Sequence, residues 1–542
     1  VRSRYRFPLV FLSSLTIVGL VAGCASAPAT VEVVAGGSPD ADAVALPEGA
    51  SDEEVDAAVA SALAQLPDLA QEALDTAGIP GLAIGVVHGG ETVYAEGFGV
   101  KNIETDAPID AQTVFQLASL SKPISATVVA KAITAGAITW QTPVQSELDG
   151  FELSDPYVTE NATVGDFFSH RSGLATGAGD DLEDLGFDRQ YILDHMYLQP
   201  LTAFRAEYHY SNYGITIGAE AAASAMGMTW EDTAQTYLYE PLGMDSTSSR
   251  YEDFLAEADR ADLHAMVDGE FTPLYERNPE EQSPAGGVSS NVEDLGTWMN
   301  LVLSEGEFQG DTYIDSSALL AATTGQMVSG HPGTAAGRTG MYGFGFQVGS
   351  QPGGRASISH SGAFVLGAGT SFRMIPSLDL GIVVLTNGAP VGAAEAVTSS
   401  FLDLVQFGYE TRDWFADYAG ALGVYLAPAG DLAGETRPTD AAAPGDYAEY
   451  VGTYESDYYG TLSVTATDDG STLMGALGPD GQYEFVLSPW DGDEYSFIPT
   501  GENAPEGSLS SAEFTRSEGQ VNAVTLDFFN SQGLGTWERV TP

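Results

Sequence analysis

Near Leu426 the hydrophobic pattern of the chain changes period, and one core cannot serve both patterns. Downstream, Leu462, Val464 and Ala466 alternate with polar residues, as do Tyr483, Phe485 and Leu487, and then Val524, Leu526 and Phe528. Asp469-Gly470 and Asp480-Gly481 mark turns between these runs. Such alternation puts one face of each strand in a core, so residues 446–542 read as a small antiparallel β-barrel or sandwich, normally filled by side chains. Upstream, the pattern is mixed. Ser51-Asp52-Glu53-Glu54 is a capping box before a helix carrying Val55, Val59, Leu63 and Leu66 on one face, and Pro67 bends or ends it. Gly81 to Val87, His88-Gly89-Gly90 and Thr92-Val93-Tyr94 read as a hairpin. Helices follow at Ser125–Ala135 and Ala219–Ala225, then strands at Phe344–Val348, Gly369–Arg373 and Gly381–Thr386. Strands at both ends with helices between them predict an α/β or α+β body over 51–426. Between the two bodies, 427–445 holds Pro428, Pro438 and Pro444 among small residues and reads as a linker. A chain of 542 residues is long enough for both.

The N-terminal segment reads as an address. Arg2, Arg4 and Arg6 precede an apolar run from Phe7 to Gly23, too short for a stable membrane span. Leu20-Val21-Ala22-Gly23-Cys24 resembles a bacterial lipobox, and Cys24 is the sole cysteine. The expectation is a lipoprotein signal over 1–24, lipidation at Cys24, a flexible tether over 25–50 and a protein exported and anchored on the cell envelope. A plain signal peptide cut near Ala25-Ser26-Ala27 is the alternative. With one cysteine no disulfide can form within the chain, so stability rests on the cores.

The net charge is −57, with only three lysines, Lys101, Lys122 and Lys131. Such a surface repels phosphate backbones and argues against nucleic-acid binding. It fits a halophilic, highly solvated protein whose self-repulsion is screened by salt, or else a low-pI secreted protein from an ordinary habitat. Neither reading touches the chemistry.

The chemistry is suggested by three short elements. In Ser119-Leu120-Ser121-Lys122 the hydroxyl and the amine lie three apart, on one face of the helix that follows. A serine is a poor nucleophile until a base takes its proton, and a free lysine (pKa about 10.4) is a poor base at neutral pH. Burial lowers an amine by up to about 3–5 units. The apolar flanks Phe115-Gln116-Leu117-Ala118 and Pro123-Ile124 favour burial over a helix cap with a surface lysine. In Tyr210-Ser211-Asn212 a phenol near the ammonium could share proton transfer, and an amide could hold a substrate amide. In His360-Ser361-Gly362-Ala363, after the strand-like Ala356–Ser359, glycine permits close approach of a substrate. The amide after that glycine could join the Ser119 amide in an oxyanion hole. Taken singly, each element has a plainer reading: a capped helix, a core tyrosine, a histidine closing a turn.

Together, and in this order, they resemble the serine β-lactamase and penicillin-binding protein superfamily, most of all its class C β-lactamase, D-aminopeptidase and esterase branch. Ser169-His170-Arg171-Ser172-Gly173-Leu174, Ser283-Pro284-Ala285-Gly286-Gly287-Val288-Ser289-Ser290, Ile79-Pro80-Gly81-Leu82-Ala83 and Gly381-Ile382-Val383-Val384-Leu385-Thr386-Asn387 add to the likeness. The resemblance implies a β-lactamase/transpeptidase-like fold, an antiparallel sheet flanked by helices with a helical subdomain. It implies Ser119 as nucleophile, Lys122 and Tyr210 as the base and acid pair, and substrate binding by Asn212, His360, Gly362 and Ala363. It implies no metal or cofactor, and the seven histidines show no His-Glu-x-x-His spacing. Where class C β-lactamases usually carry lysine this chain has His360, as in peptidase and esterase relatives. The segment from Asp446 resembles a lipocalin-like domain that follows such catalytic domains and is thought to cover or shape the active site, or to aid assembly.

The expectation is a serine hydrolase acting on a small-molecule or peptide substrate, one with D-amino acids included, or on an ester. A β-lactamase or D-Ala-D-Ala carboxypeptidase is the alternative, and a binding or sensing protein on the same fold is a further one. No Gly-x-Ser-x-Gly elbow supports a Ser-His-Asp hydrolase. The acidic stretch Asp180-Asp181-Leu182-Glu183-Asp184 reads as a loop beside the cleft that disfavours anionic substrates. Oligomeric state is not legible.

Overall fold

A computed structural model describes residues 45–335, 337–467 and 472–540. The signal, Cys24, most of the tether and the Asp469-Gly470 turn lie outside them. The main body is built on an eight-stranded antiparallel sheet. Its strands are β1 Gly81–His88, β2 Glu91–Gly99, β3 Met327–Gly330, β4 Gly340–Tyr342, β5 Gln347–Ser350, β6 Ala356–Phe364, β7 Ala368–Ile375 and β8 Leu380–Thr386. The spatial order is β2-β1-β8-β7-β6-β5-β4-β3, so the two ends of the body meet where β1 pairs β8, Leu82 facing Thr386 and His88 facing Leu380.

Alternation within β1 and β8 explains why helices cover both faces. Leu82, Ile84 and Val86 join Ile382 and Val384 against Val55 and Val59 of the Asp52–Leu63 helix and Val397 and Phe401 of the Ala393–Phe407 helix. Ala83, Val383 and Leu385 point the other way, into the core shared with the Ser121–Thr134 and Val292–Leu303 helices. Each such aliphatic side chain contributes roughly 1.5–3 kcal/mol when fully buried. The capping box read at Ser51 is present: the Glu54 N–H donates to Ser51 Oγ, and the Ser51 N–H to the Glu54 carboxylate.

Two expectations are corrected. Phe344 and Phe346 belong to no strand. Phe344 stacks on Trp140 and the Gly345 N–H donates to the Phe168 carbonyl, so the segment plugs the helical subdomain before β5 begins at Gln347. The acidic stretch is a short helix, Asp180–Asp184, not a loop.

The C-terminal body is a closed eight-stranded antiparallel barrel, running from Gly452–Ser456 to Thr536–Arg539. Tyr454, Leu462, Leu473, Leu487, Tyr495, Phe514, Leu526 and Trp537 fill its interior. Ala466 is exposed and Phe528 lies on a turn after the strand, so the alternation ends sooner than the sequence suggests. The segment 427–445 carries no helix or strand beyond turns, but it is held. Ala429 and Leu432 are buried, and the Asp431 carboxylate accepts from the hydroxyls of Ser510 and Ser511.

The barrel seats on the acidic helix. The Tyr459 hydroxyl donates to Asp181, Asn503 donates to Asp184, and Gln482 donates to the Leu185 carbonyl. From the same barrel loop the Glu502 carboxylate accepts the N–H groups of Val365 and Leu366, at the turn between β6 and β7.

Burial raises the Asp181 carboxyl to about 7 and that of Glu502 to about 8. Both exceed the unfolded value of about 4, so the folded chain binds these protons more tightly. Their stabilising effect is complete at low pH and lost as pH rises through 7 and 8. His170 and His360, buried and neutral, act in the opposite sense only below about pH 6.5. The melting temperature should therefore fall as pH rises from 7.0 to 8.5, and the slope should flatten in Asp181→Asn combined with Glu502→Gln. A wild-type melting temperature that rises over this range in scanning calorimetry would contradict this.

Candidate active site

Ser119 sits on a single helical turn, Ala118–Leu120, that runs into the Ser121–Thr134 helix. The chain reaches it through Ala118 at φ +48°, a left-handed conformation that costs a non-glycine residue about 1–2 kcal/mol. Local bonds hold that geometry. Ser121 Oγ donates to the Ala118 carbonyl and accepts the Val288 N–H, while the Leu117 N–H donates to the Val288 carbonyl.

Lys122, one turn on, is fully buried. Its Nζ donates to Ser119 Oγ at 2.9 Å, to Asn212 Oδ1 at 2.8 Å and to the Ala285 carbonyl at 2.9 Å. The Tyr210 hydroxyl donates to the same Ser119 Oγ at 2.8 Å, and its ring lies 4.6 Å from the lysine nitrogen. The structure thus brings together Ser119, Lys122, Tyr210 and Asn212 from segments far apart in sequence. Ser211 caps the Asn212–Met226 helix by accepting the Gly214 N–H, which fixes where Tyr210 and Asn212 project.

A layer behind Tyr210 orients it. The His170 ring packs against the Tyr210 ring, tilted by 39° with centroids 4.5 Å apart, and its Nδ1 accepts the Ser211 N–H. Burial, and then the charge of Lys122, push the His170 pKa well below the ordinary value. This gives a structural role to the Ser169–Leu174 segment. Likewise the Ser283–Ser290 segment supplies the Ala285 carbonyl to Lys122 and the Pro284 carbonyl to Ser125. Neither carbonyl was legible beforehand, because a backbone acceptor has no residue signature.

His360 is placed differently from the expectation of direct substrate contact. The strand runs through it to Phe364 rather than ending at Ser359. Its ring is buried on the face that meets Tyr342, and it is absent from the cavity lining. Nδ1 faces the Ser361 carbonyl at 2.7 Å and so carries the proton, leaving Nε2 to accept from the Tyr342 hydroxyl at 2.8 Å. Burial, and then the Lys122 charge, lower its pKa to about 3, so it is a neutral spacer behind Tyr210.

The next residues do face the cleft. Pairing of β5 with β6 stops at Gln347 opposite Ser359, whereas β6 and β7 pair on to Phe364 opposite Ala368. Ser361, Gly362 and Ala363 therefore present an edge with no neighbouring strand among the described residues, and all three line a cavity of about 1260 Å³ that also contains Ser119, Tyr210 and Asn212. Gly362 is required by contact: a Cβ there would lie 2.3 Å from Thr370 Oγ1, 2.4 Å from the Leu117 carbonyl oxygen and 3.0 Å from the Ser119 nitrogen. Asp180, Glu183 and the barrel residues Glu502 and Asn503 complete one end of the cavity. Asn212 Nδ2 donates to Asp180 at 3.1 Å, so both ends of the amide are engaged by the protein.

A strand edge and a buried amine-phenol pair aimed at one serine define a serine-nucleophile site. A family model described as Beta-lactamase matches residues 66–405, more than half of the chain, and one described as Domain of unknown function (DUF3471) matches 436–536. The chain belongs to the beta-lactamase family, the serine hydrolases of the β-lactamase and penicillin-binding protein kind. Among its relatives is an unguisins hydrolase of Aspergillus campestris, 24% identical over 431 residues that cover 75% of this chain and 78% of the relative. Penicillin-binding protein 4 of Amycolatopsis lactamdurans is 27% identical over 70% of this chain and 94% of its own length. The fold is shared with an octameric penicillin-binding protein homologue from Pyrococcus abyssi (TM-score 0.57, 19% identity, 86% of this chain and 98% of that one). It is also shared with a class C beta lactamase from Rhodobacter sphaeroides (TM-score 0.51, 21% identity, 63% and 98%).

The close approach at Gly362 yields a test. Gly362→Ala should leave the chain folded by circular dichroism yet lower kcat/KM on an activated ester about 100-fold, the size of losing one oxyanion donor. Unchanged kcat/KM would mean that this edge does not contact the reacting group.

Proposed function

We propose that the protein cleaves an amide or ester through an acyl-enzyme on Ser119, with a peptide or ester as substrate. The observation that carries the reading is the convergence of the Lys122 amine and the Tyr210 phenol on one hydroxyl oxygen, at 2.9 and 2.8 Å. In the reactive state one of the two is deprotonated and takes the Ser119 proton as Oγ bonds to the substrate carbonyl carbon. The buried Lys122, whether donating to Asn212 and Ala285 or sharing its proton with Tyr210, keeps that exchange away from bulk water. The carbonyl oxygen gains charge and is met by the N–H groups of Ser119 and Ala363, which need no reorganisation. When the intermediate collapses, the carbon–heteroatom bond breaks and the pair returns the proton to the leaving group. Water, deprotonated by the same pair, then releases the acid and restores Ser119.

His360 stands where class C β-lactamases usually carry a lysine that helps bind the β-lactam carboxylate, and the lack of that cation favours peptides and esters over β-lactams. The name of one relative, an unguisins hydrolase, supports hydrolysis.

Lys122→Ala should lower kcat on nitrophenyl esters about 10³-fold and Tyr210→Phe about 10²-fold, within the range of lost acid–base catalysis. Activity in Lys122→Ala within a few-fold of wild type would rule out the mechanism.

We also propose export and lipidation at Cys24, supported by the run Leu20-Val21-Ala22-Gly23-Cys24. No helix among the described residues is long and apolar enough to cross a membrane. In a bacterial host, labelled fatty acid should enter the wild-type protein and not Cys24→Ala. Equal label in both would refute the anchor.

A further inference from the structure

Asn212 stands between two groups that place opposite demands on its amide. Oδ1 accepts from the Lys122 amine at 2.8 Å, and Nδ2 donates to Asp180 Oδ2 at 3.1 Å. A side-chain amide has one accepting end and one donating end, and it turns readily about its last torsion. Its neighbours therefore decide which end faces which way. Lys122 makes that choice only as an ammonium, which donates and cannot accept. Once the amine is neutral it carries a lone pair, and a turned amide could donate an Nδ2–H to it. That lone pair is the one that takes the Ser119 proton across 2.9 Å, so a turned amide would occupy the base when it is needed.

Asp180 opposes the turn. Its Oδ2 would face the amide oxygen, two acceptors with no proton between them, and the bond to Nδ2 would be lost. This is the side chain's sole hydrogen bond among the described residues, since Oδ1 accepts none. Keeping the carboxyl there costs free energy. It is 6% exposed, and burial, then the charges of Glu183 and Asp181, push its pKa up to about 7. A proton bound at that pH goes to the free Oδ1, so Oδ2 still accepts. The group cannot follow a turning amide either, because its helix is held on both sides. Glu183 accepts from Arg277 and Gln282, while Tyr459 and Asn503 of the barrel donate to Asp181 and Asp184.

We propose that Asp180 is a positioning residue that holds the Asn212 amide with its oxygen toward Lys122, leaving the lone pair of the neutral amine free for Ser119. It acts through Asn212 and not on the reacting atoms. The inference rests on the hydrolase reading, and it gives the barrel a part in the chemistry. The barrel holds the acidic helix, the helix holds Asp180, and Asp180 fixes the amide that faces the base.

The test is a double-mutant cycle with the full chain, reading kcat and KM on a nitrophenyl ester at the pH of maximal wild-type activity. Asp180→Leu keeps a branched shape and removes the acceptor. It should lower kcat about 10-fold with little change in KM. In an Asn212→Ala background the same substitution should change kcat by no more than about 2-fold, because there is no amide left to orient. If Asp180→Leu does not fold by circular dichroism, Asp180→Asn takes its place in the cycle, with a smaller loss that must again vanish in Asn212→Ala. If Asn212→Ala has no measurable turnover, the split between kcat and KM in the wild-type background decides. Equal losses in both backgrounds would make Asp180 a counter-charge to Lys122 and overturn the inference. Unchanged kcat, or a loss confined to KM, would overturn it as well, and each of these results leaves the hydrolase reading intact. If the wild type cleaves no ester and a fluorophosphonate does not label Ser119, the hydrolase reading falls and the positioning role with it.

Discussion

The structure depends on keeping one lysine amine out of water. Lys122 is fully buried, and a buried ammonium is tolerated only when its N–H groups find acceptors. Those acceptors come from three separate segments: the Ser119 hydroxyl one turn back, the Asn212 amide at the start of a distant helix, and the Ala285 carbonyl of the Pro-Ala-Gly-Gly turn. Satisfying the lysine therefore draws the helical subdomain and the sheet together around Ser119. The same bonds that pay its desolvation set the nucleophile's geometry, so fold and site share one constraint.

The layers around that amine follow from it. Tyr210 covers the lysine with its ring and reaches Ser119 with its hydroxyl, and His170 and His360 back it as neutral imidazoles. The chain tolerates a left-handed alanine before the nucleophile because Ser121 and Val288 clamp the turn on both sides. On the far side of the cavity, the barrel fixes the β6–β7 turn through Glu502 and the acidic helix through Tyr459 and Asn503. A closed barrel, its buried side chains continuous with those of the main body, thus borders the site without supplying the nucleophile.

Much of this was legible in the sequence, and the exceptions have physical reasons. Ser119 and Lys122 could be paired from helical spacing, and Gly362 singled out, because those features depend on residue type. The barrel was visible because its strands alternate, and the β1–β8 closure because both segments are apolar runs. The Ala285 carbonyl was not visible, since any residue supplies a carbonyl. The resemblance implies His360 at the substrate, but the strand runs on to Phe364 and its alternation turns the ring inward beside Tyr342. Phe344 and Phe346 look like strand residues by composition, but packing on Trp140 and Trp298 outweighs that preference. The acidic run reads as a loop beside the cleft; it does line the cavity, but as a short helix against which the barrel packs.

The central claim is that Ser119 becomes acylated because Lys122 and Tyr210 prepare it. Acid quenching of the enzyme during turnover of a slowly hydrolysed ester, followed by peptide mass mapping, tests this most directly. The account predicts one acyl group on the peptide that contains Ser119, absent in Ser119→Ala and slower to accumulate in Lys122→Ala. Turnover that persists in Ser119→Ala, or an acyl group mapped to any other residue, would contradict it.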